Sequence, residues 1–164
     1  MRFVKLGLIS IVVLFAVVIL LSLLIPSHVR ISRAINISAN TDSIVNNLAD
    51  IRRWKNWNNM VNDTTISNPS YDYKVFHSDQ LQVELRSFKN DTVKTVWRQQ
   101  NGKEIVGVLT WHSSGNTTVV QWFFDFYQEW YPWEKFGSII FDKQLGPSME
   151  KSLAALKKRL EDQP

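Results

Sequence analysis

Apolar and polar residues follow three rhythms along the chain. From Leu6 to Ile25 there is no alternation: about 20 residues run without a charge, enough to cross a bilayer as a helix. In Val29 to Ser38, and again from Tyr71 to Trp130, apolar side chains recur at every second position, as in half-buried strands. From Pro132 to Glu161 the spacing turns helical, with Phe136, Ile139 and Ile140, then Met149, Leu153, Leu156 and Leu160 on one stripe. Pro147 lacks an N–H, so Gly146-Pro147 predicts a kink or a restart inside this last helix. The stripe is too apolar to face water, and the strands must supply the surface that it covers.

Between these stretches the local signals are finer. Val29, Ile31, Arg33, Ile35 and Ile37 share one strand face. Asn40 or Thr41 can cap a short helix that carries Ile44, Val45 and Leu48, with Asp42 in its first turn. A second short helix or turn follows over Asp50–Trp57, with Trp54 and Trp57 three apart on one side. Asn58 to Ser70 reads as loop with a short strand near Thr65. Leu81, Val83 and Leu85 then alternate with polar neighbours, and Asn90-Asp91 turns the chain. Val93 and Trp97 share a face, and Asn101-Gly102 is a hairpin signal. Ile105, Gly107, Leu109 and Trp111 line the next strand, and Ser113–Asn116 form another turn. The longest strand follows, with Val120, Trp122, Phe124 and Phe126 on one face and Val119, Gln121, Phe123, Asp125 and Tyr127 on the other. Consecutive meandering strands before a terminal helix predict an α+β domain, its helix packed on an antiparallel sheet.

Composition narrows the chemistry. The net charge of +4 leaves 17 basic against 15 acidic residues once Arg2 and Lys5 are set aside, too weak and scattered for a nucleic-acid surface. With no cysteine, disulfides, thiolate metal sites and a cysteine nucleophile are excluded. A secretory signal would have a shorter apolar core and a small-x-small cleavage site. This run ends in Leu23-Leu24-Ile25-Pro26, which favours an uncleaved anchor over residues 1–26 and one domain over 27–164. Arg2 and Lys5 favour an inside N-terminus, although Arg30 and Arg33 lie just beyond the other end.

Particular words in the sequence carry a resemblance. Arg33-Ala34-Ile35-Asn36-Ile37-Ser38-Ala39 is followed by Val45, Leu48, Asp50 and Trp54-x-x-Trp57, and later by Gly146-Pro147-Ser148-Met149-Glu150-Lys151-Ser152-Leu153 and Leu156-Lys157. Over about Val29 to Glu161 the chain resembles the START-like, helix-grip (SRPBCC) superfamily, and within it the polyketide cyclase/dehydrase-type lipid-transport family and its membrane-anchored bacterial members. Met149 stands where an aromatic is usual and Ser152 where glycine is usual. The resemblance implies a curved sheet wrapped around the last helix, with an elongated pocket between them. The apolar N-terminus is familiar in that subgroup and implies a bacterial inner-membrane protein; the inside N-terminus favoured by Arg2 and Lys5 puts its domain on the periplasmic side.

The strand and helix parities give that pocket the lining Trp97, Leu109, Trp111, Trp122, Phe124, Phe126, Phe136, Ile140, Met149 and Leu153. Such a lining suits an apolar or amphipathic ligand. Large rings on both walls can equally meet and leave a solid core. His28, His77 and His112 are scattered without ligand spacing, so neither a metal site nor a cofactor is expected. Asp125 interrupts an aromatic run; desolvated, it would be an acid/base candidate, but its parity is opposite to Trp122 and Phe124 and places it outside. Glu129 and Glu134 fit either the rim of a pocket mouth or the start of the helix. Lys157, Lys158 and Arg159 complement the helix dipole or meet anionic headgroups. Trp54 and Trp57 read as packing, with a pocket lid as the alternative. Three functions follow: a membrane-anchored, non-catalytic binder of a lipid-like molecule, an enzyme of the cyclase or dehydrase kind, and an interaction domain like the related activators of a heat-shock ATPase. Neither the ligand nor the oligomeric state can be read from these residues.

Overall fold

The computed structural model describes residues 2–24, 27–100, 102, 104–127 and 132–162, the side chains of residues 2 and 132–140 excepted. It opens with α1 (Arg2–Leu23), whose side chains stand exposed along nearly its whole length and whose mean hydropathy over Phe3–Leu23 is 3.1. That length and composition suffice to cross a bilayer.

Strand β1 (His28–Ile37) forms one edge of a seven-stranded antiparallel sheet. Two short helices follow, each with the cap its sequence offers. Asn40 Oδ1 accepts the Asp42 N–H at the start of α2 (Thr41–Ala49), and Asp50 Oδ1 accepts the Arg52 N–H at the start of α3 (Ile51–Trp54). The carboxyl of Asp50 is held below the usual carboxylate range by the Arg52 guanidinium, which also hydrogen-bonds it. The chain then meanders through β2 (Ser70–Tyr71), β3 (Val75–His77), β4 (Leu81–Phe88), β5 (Thr92–Gln99), β6 (Ile105–Ser114) and β7 (Thr117–Tyr127), and β7 returns to pair with β1. The order across the sheet is β1-β7-β6-β5-β4-β3-β2. Asn90 and Asp91 both adopt positive φ, as a two-residue hairpin turn requires. Two expectations are corrected. Thr65 lies in a turn, where Asp63 Oδ1 takes both its N–H and its hydroxyl proton, and the short strand comes later, at Ser70–Tyr71. The alternation over Tyr71–Val75 is not one strand, because an Asp72 N–H to Val75 carbonyl bond folds it into a tight hairpin. Asn101 lies outside the described residues.

The terminal helix α4 (Pro132–Glu161) runs as one element through Pro147, so the expected restart is absent. One lost backbone bond is outweighed by the side chains that hold the helix on both sides of the proline. Arg33 on β1 reaches across Gly146 to Asp142 at 2.9 Å and Glu150 at 2.6 Å, one turn to each side. Gly146 leaves the room: an added Cβ would collide with the Arg33 guanidinium. Both carboxylates are mostly exposed, so the pairs are screened and worth about 1 kcal/mol or less each. Gly146→Ala is therefore expected to destabilise by about 1 kcal/mol, although alanine is the better helix former by about that amount. In an Arg33→Ala background the same change should stabilise. A sign reversal in the double-mutant cycle, measured by urea unfolding, is the check; the same sign in both backgrounds counts against the contact.

A second strap lies a turn later. Ser152 is fully buried, and its hydroxyl donates to the Ser148 carbonyl at 2.7 Å while accepting the Asn59 N–H at 2.9 Å. The serine thus ties the loop after α3 to α4. Ser152→Ala orphans the Asn59 N–H and is expected to cost about 1–2 kcal/mol, and Ser152→Gly roughly 1 kcal/mol more. Thermal unfolding of the two variants against wild type measures both.

Candidate functional site

The inward face of β7 carries Val120, Trp122, Phe124 and Phe126, all buried, while Val119, Gln121, Phe123, Asp125 and Tyr127 face outward. The alternation read from sequence holds without a slip, because β7 is paired along its length on both sides and a one-residue shift would turn every ring outward. Trp97, Leu109 and Trp111 from β5 and β6, and Met149 and Leu153 from α4, are buried in the same cluster. Phe136 and Ile140 lie outside the residues whose side chains are described.

These rings touch one another. Trp97 stands 6.0 Å from Trp122 and 5.3 Å, edge-on, from Phe124, centroid to centroid. Phe126 meets Phe141 of α4 at 4.8 Å. Trp54 and Trp57 of the α3 segment enter the same cluster, Trp54 at 6.1 Å from Trp97 and Trp57 at 6.2 Å from Trp122. Their indole N–H groups donate to the carbonyls of Leu48 and Asn47, so the pair is fixed as packing rather than built to swing. At the centre, Trp97 Nε1 donates to Thr95 Oγ1 at 2.9 Å, and Thr95 Oγ1 donates to the Gly107 carbonyl at 3.0 Å. Gly107 makes room for this relay: an added Cβ would lie 2.7 Å from Phe124, 2.8 Å from Thr95 Oγ1 and 2.9 Å from Trp97 Nε1. A glycine inside a strand marks such a close approach, and that signal was open to sequence reading.

Several open depressions among the described residues lie at the surface. One groove of about 490 Å³ is lined by Met60 and Ile66 of the loop after α3, Leu81 of β4, Ser148 of α4, and the amides of Gln99 and Gln100. Met60, Ile66 and Leu81 are partly buried and pack on the core, so the groove sits on the rim of the ring cluster. It adjoins a second depression of about 520 Å³ that shares Gln80, Leu81, Gln99 and Gln100. Sequence reading missed this place because Met60 and Ile66 fall in an aperiodic stretch.

The polar candidates stand apart from the rings. Asp125 lies on the outer face, taken bidentately by Arg30 at 2.7 and 2.9 Å, with His28 Nε2 at 3.0 Å. The Arg30 hydrogen bonds, more than the smaller effect of His28, hold its carboxyl below the usual range. It is ionised at neutral pH and engaged as an ion-pair partner; its stabilising contribution is lost only as the pH falls through that lowered value. Arg30 also lies 4.1 Å above the Phe123 ring, and His28 stacks on exposed Tyr127 at 4.9 Å. Among the described residues no cluster of histidine and carboxylates could hold a metal. Lys157 reaches Glu161, which also accepts the Ser38 N–H at the far end of β1. Glu129 and the segment 128–131 lie outside the described residues, and so does the side chain of Glu134.

The comparisons agree with this architecture. The family described as "Polyketide cyclase / dehydrase and lipid transport" matches residues 28–161. No curated protein matches the chain. Among solved structures, a START superfamily protein from Mycobacterium smegmatis superposes with a TM-score of 0.61 at 14% identity, covering 82% of this chain and 99% of that one. A protein of unknown function, SA2116 from Staphylococcus aureus, gives 0.64 at 12% identity over 82% and 94% of the two chains. CalU16 from Micromonospora echinospora gives 0.58 at 15% identity over 82% and 76%. At such identities the likeness speaks for the fold alone, and it is the match over 28–161 that decides the kinship. The chain belongs to the polyketide cyclase/dehydrase and lipid-transport family, and its domain has the START-like helix-grip fold.

Proposed function

We propose that this protein is a membrane-tethered, non-catalytic module that takes up an apolar or amphipathic small molecule at a bilayer surface. The observation that carries the reading is the wall of Trp97, Trp122, Phe124 and Phe126 facing Met149 and Leu153 of α4, in a domain that follows an apolar helix of membrane-spanning length. Such a wall offers dispersion and hydrophobic contact and almost no polar chemistry. The one carboxylate in the aromatic run, Asp125, is turned to the outer face and bound to Arg30, which leaves it no part as an acid or base among the rings. Residues 6–25 hold the protein in the membrane, with the amino terminus inside and the domain on the periplasmic side of a bacterial inner membrane.

The test uses the full chain isolated from membranes and placed in lipid nanodiscs. One lipid class is expected to co-purify above its share of the bulk membrane, and a fluorescent acyl probe on the domain should be displaced by it. A co-purified profile identical to the bulk membrane, with no displaceable probe, overturns the binding role. Proteolysis of intact spheroplasts is expected to remove a C-terminal tag; protection of the tag overturns the orientation.

A further inference from the structure

We infer that the domain stands end-on on the bilayer, with the end of the sheet where β1 starts and β7 stops seated in the lipid headgroup layer. This rests on the reading of α1 as a membrane anchor and adds which surface of the domain the lipid meets. Two independent observations fix that end. The first is chain length. Four residues separate Leu23, the last of α1, from His28, the first of β1. Fully extended, that link spans at most about 18 Å. The apolar run itself continues to Ile25, so His28 follows the hydrocarbon boundary by only about 10 Å of chain, little more than the headgroup layer is thick. Antiparallel pairing sets Tyr127 opposite His28 and brings the end of β7 to the same depth.

The second is the joint between anchor and domain. Ser22, in the last turn of α1, is 2% exposed, and α1 packs on α4. The anchor is thus covered by protein where it leaves the bilayer, and the domain must reach down to the hydrocarbon boundary to cover it. The first half of α4 lies at this same end, since Phe141 meets Phe126 near the end of β7. The exposed chemistry there suits an interface. Tyr127 is 72% exposed and stacks on His28, Val106 opens outward opposite Asp125, and Arg30 lies over the Phe123 ring. Rings with an apolar body and a polar tip are the side chains that settle at headgroup depth. At the other end of β1, about 30 Å away along the strand, Glu161 of α4 accepts the Ser38 N–H. A depression lined by Ser38, Asn40, Thr41, Asn116 and Thr118 lies beside it. Lys157, Lys158 and Arg159 belong to this far end, so they complement the dipole of α4 rather than meet anionic headgroups.

Depth-dependent quenching tests the seat. The chain has no cysteine, so one introduced thiol takes one fluorescent label. Labels are placed at Tyr127, Val106, Val119 and Lys158, all exposed, in the full chain in nanodiscs whose lipid carries a nitroxide on its headgroup. Val106 is included because that label leaves the Tyr127 ring in place. Tyr127 and Val119 share the outer face of β7, about 26 Å apart along the strand. Labels at Tyr127 and Val106 are expected to be quenched at least about threefold more than those at Val119 and Lys158, because headgroup nitroxides do not reach the far end of an upright strand. A smaller contrast along β7 means that the sheet lies flat or tumbles, and overturns the inference. Strongest quenching at Lys158 seats the basic end of α4 instead, and also overturns it. No quenching at any of the four overturns it too, and a label at Leu21 then separates the causes. Quenching there by an acyl-chain nitroxide leaves the anchor standing and removes only the seat, whereas its absence removes both. Uptake of an amphiphile, read by probe displacement, is decided separately.

Discussion

Gly107→Ala is expected to lower the stability of the domain by about 3 kcal/mol, roughly 10 °C in its melting temperature. The new methyl would lie under 3 Å from three side chains at once, and none is free to give way. Thr95 Oγ1 is held by two hydrogen bonds, one to the carbonyl of Gly107 itself. Trp97 is wedged between Trp54, Trp122 and Phe124, and Phe124 in turn between Trp122 and Phe126. A shift of any one propagates through a packed cluster, and packed clusters do not yield smoothly. Gly115 is the control. It sits in a turn at φ +61° with nothing within 4 Å of an added Cβ, so Gly115→Ala meets only left-handed backbone strain, about 1 kcal/mol. Tryptophan fluorescence of the full chain in micelles follows both transitions. Losses of equal size at the two positions would mean that the centre of the sheet is looser than these distances require.

The contrast between the two glycines also shows which parts of this protein its sequence discloses. The β7 rings were legible because an unbroken period of two over Val120–Phe126 admits one inward set, and the α4 stripe because Met149, Leu153, Leu156 and Leu160 share one face of a helix. The caps at Asn40 and Asp50 are local events, decided within a few residues. What needed the fold is everything that joins distant segments. Arg33 meets Asp142 and Glu150 only after β1 and α4 are brought together, and Ser152 finds the Asn59 N–H across a separation no local pattern spans. At Pro147 local chemistry leaves a kink or a restart open, and the continuous helix, strapped on both sides, excludes the restart. Strand parity says which way a ring points, but not how far away the opposing wall stands. The contact of Trp97 with Trp122 was therefore out of reach. The surface groove is least legible of all, since Met60, Ile66 and Gln100 lie in loops or just past a strand end.

Two tryptophans of the same cluster should respond unequally to the same substitution. Trp54 and Trp122 are both fully buried, and a change to phenylalanine removes the same volume from each. Their indole N–H groups differ. Trp54 Nε1 donates at 3.1 Å to the carbonyl of Leu48, one of the last carbonyls of α2, which have no partner within the helix. Trp122 Nε1 is buried without a hydrogen-bond partner among the described residues. Trp54→Phe thus opens a cavity and strands a buried acceptor, for a loss of about 3 kcal/mol. Trp122→Phe opens a comparable cavity but removes an unpaired donor, whose burial already costs about 1–3 kcal/mol, so its net loss should stay below about 1 kcal/mol. Urea unfolding of the full chain in micelles, followed by near-ultraviolet circular dichroism, gives both values. If the two losses agree within about 0.5 kcal/mol, the Trp122 N–H is satisfied in solution, and the wall beneath α4 is less purely apolar than the binding role assumes.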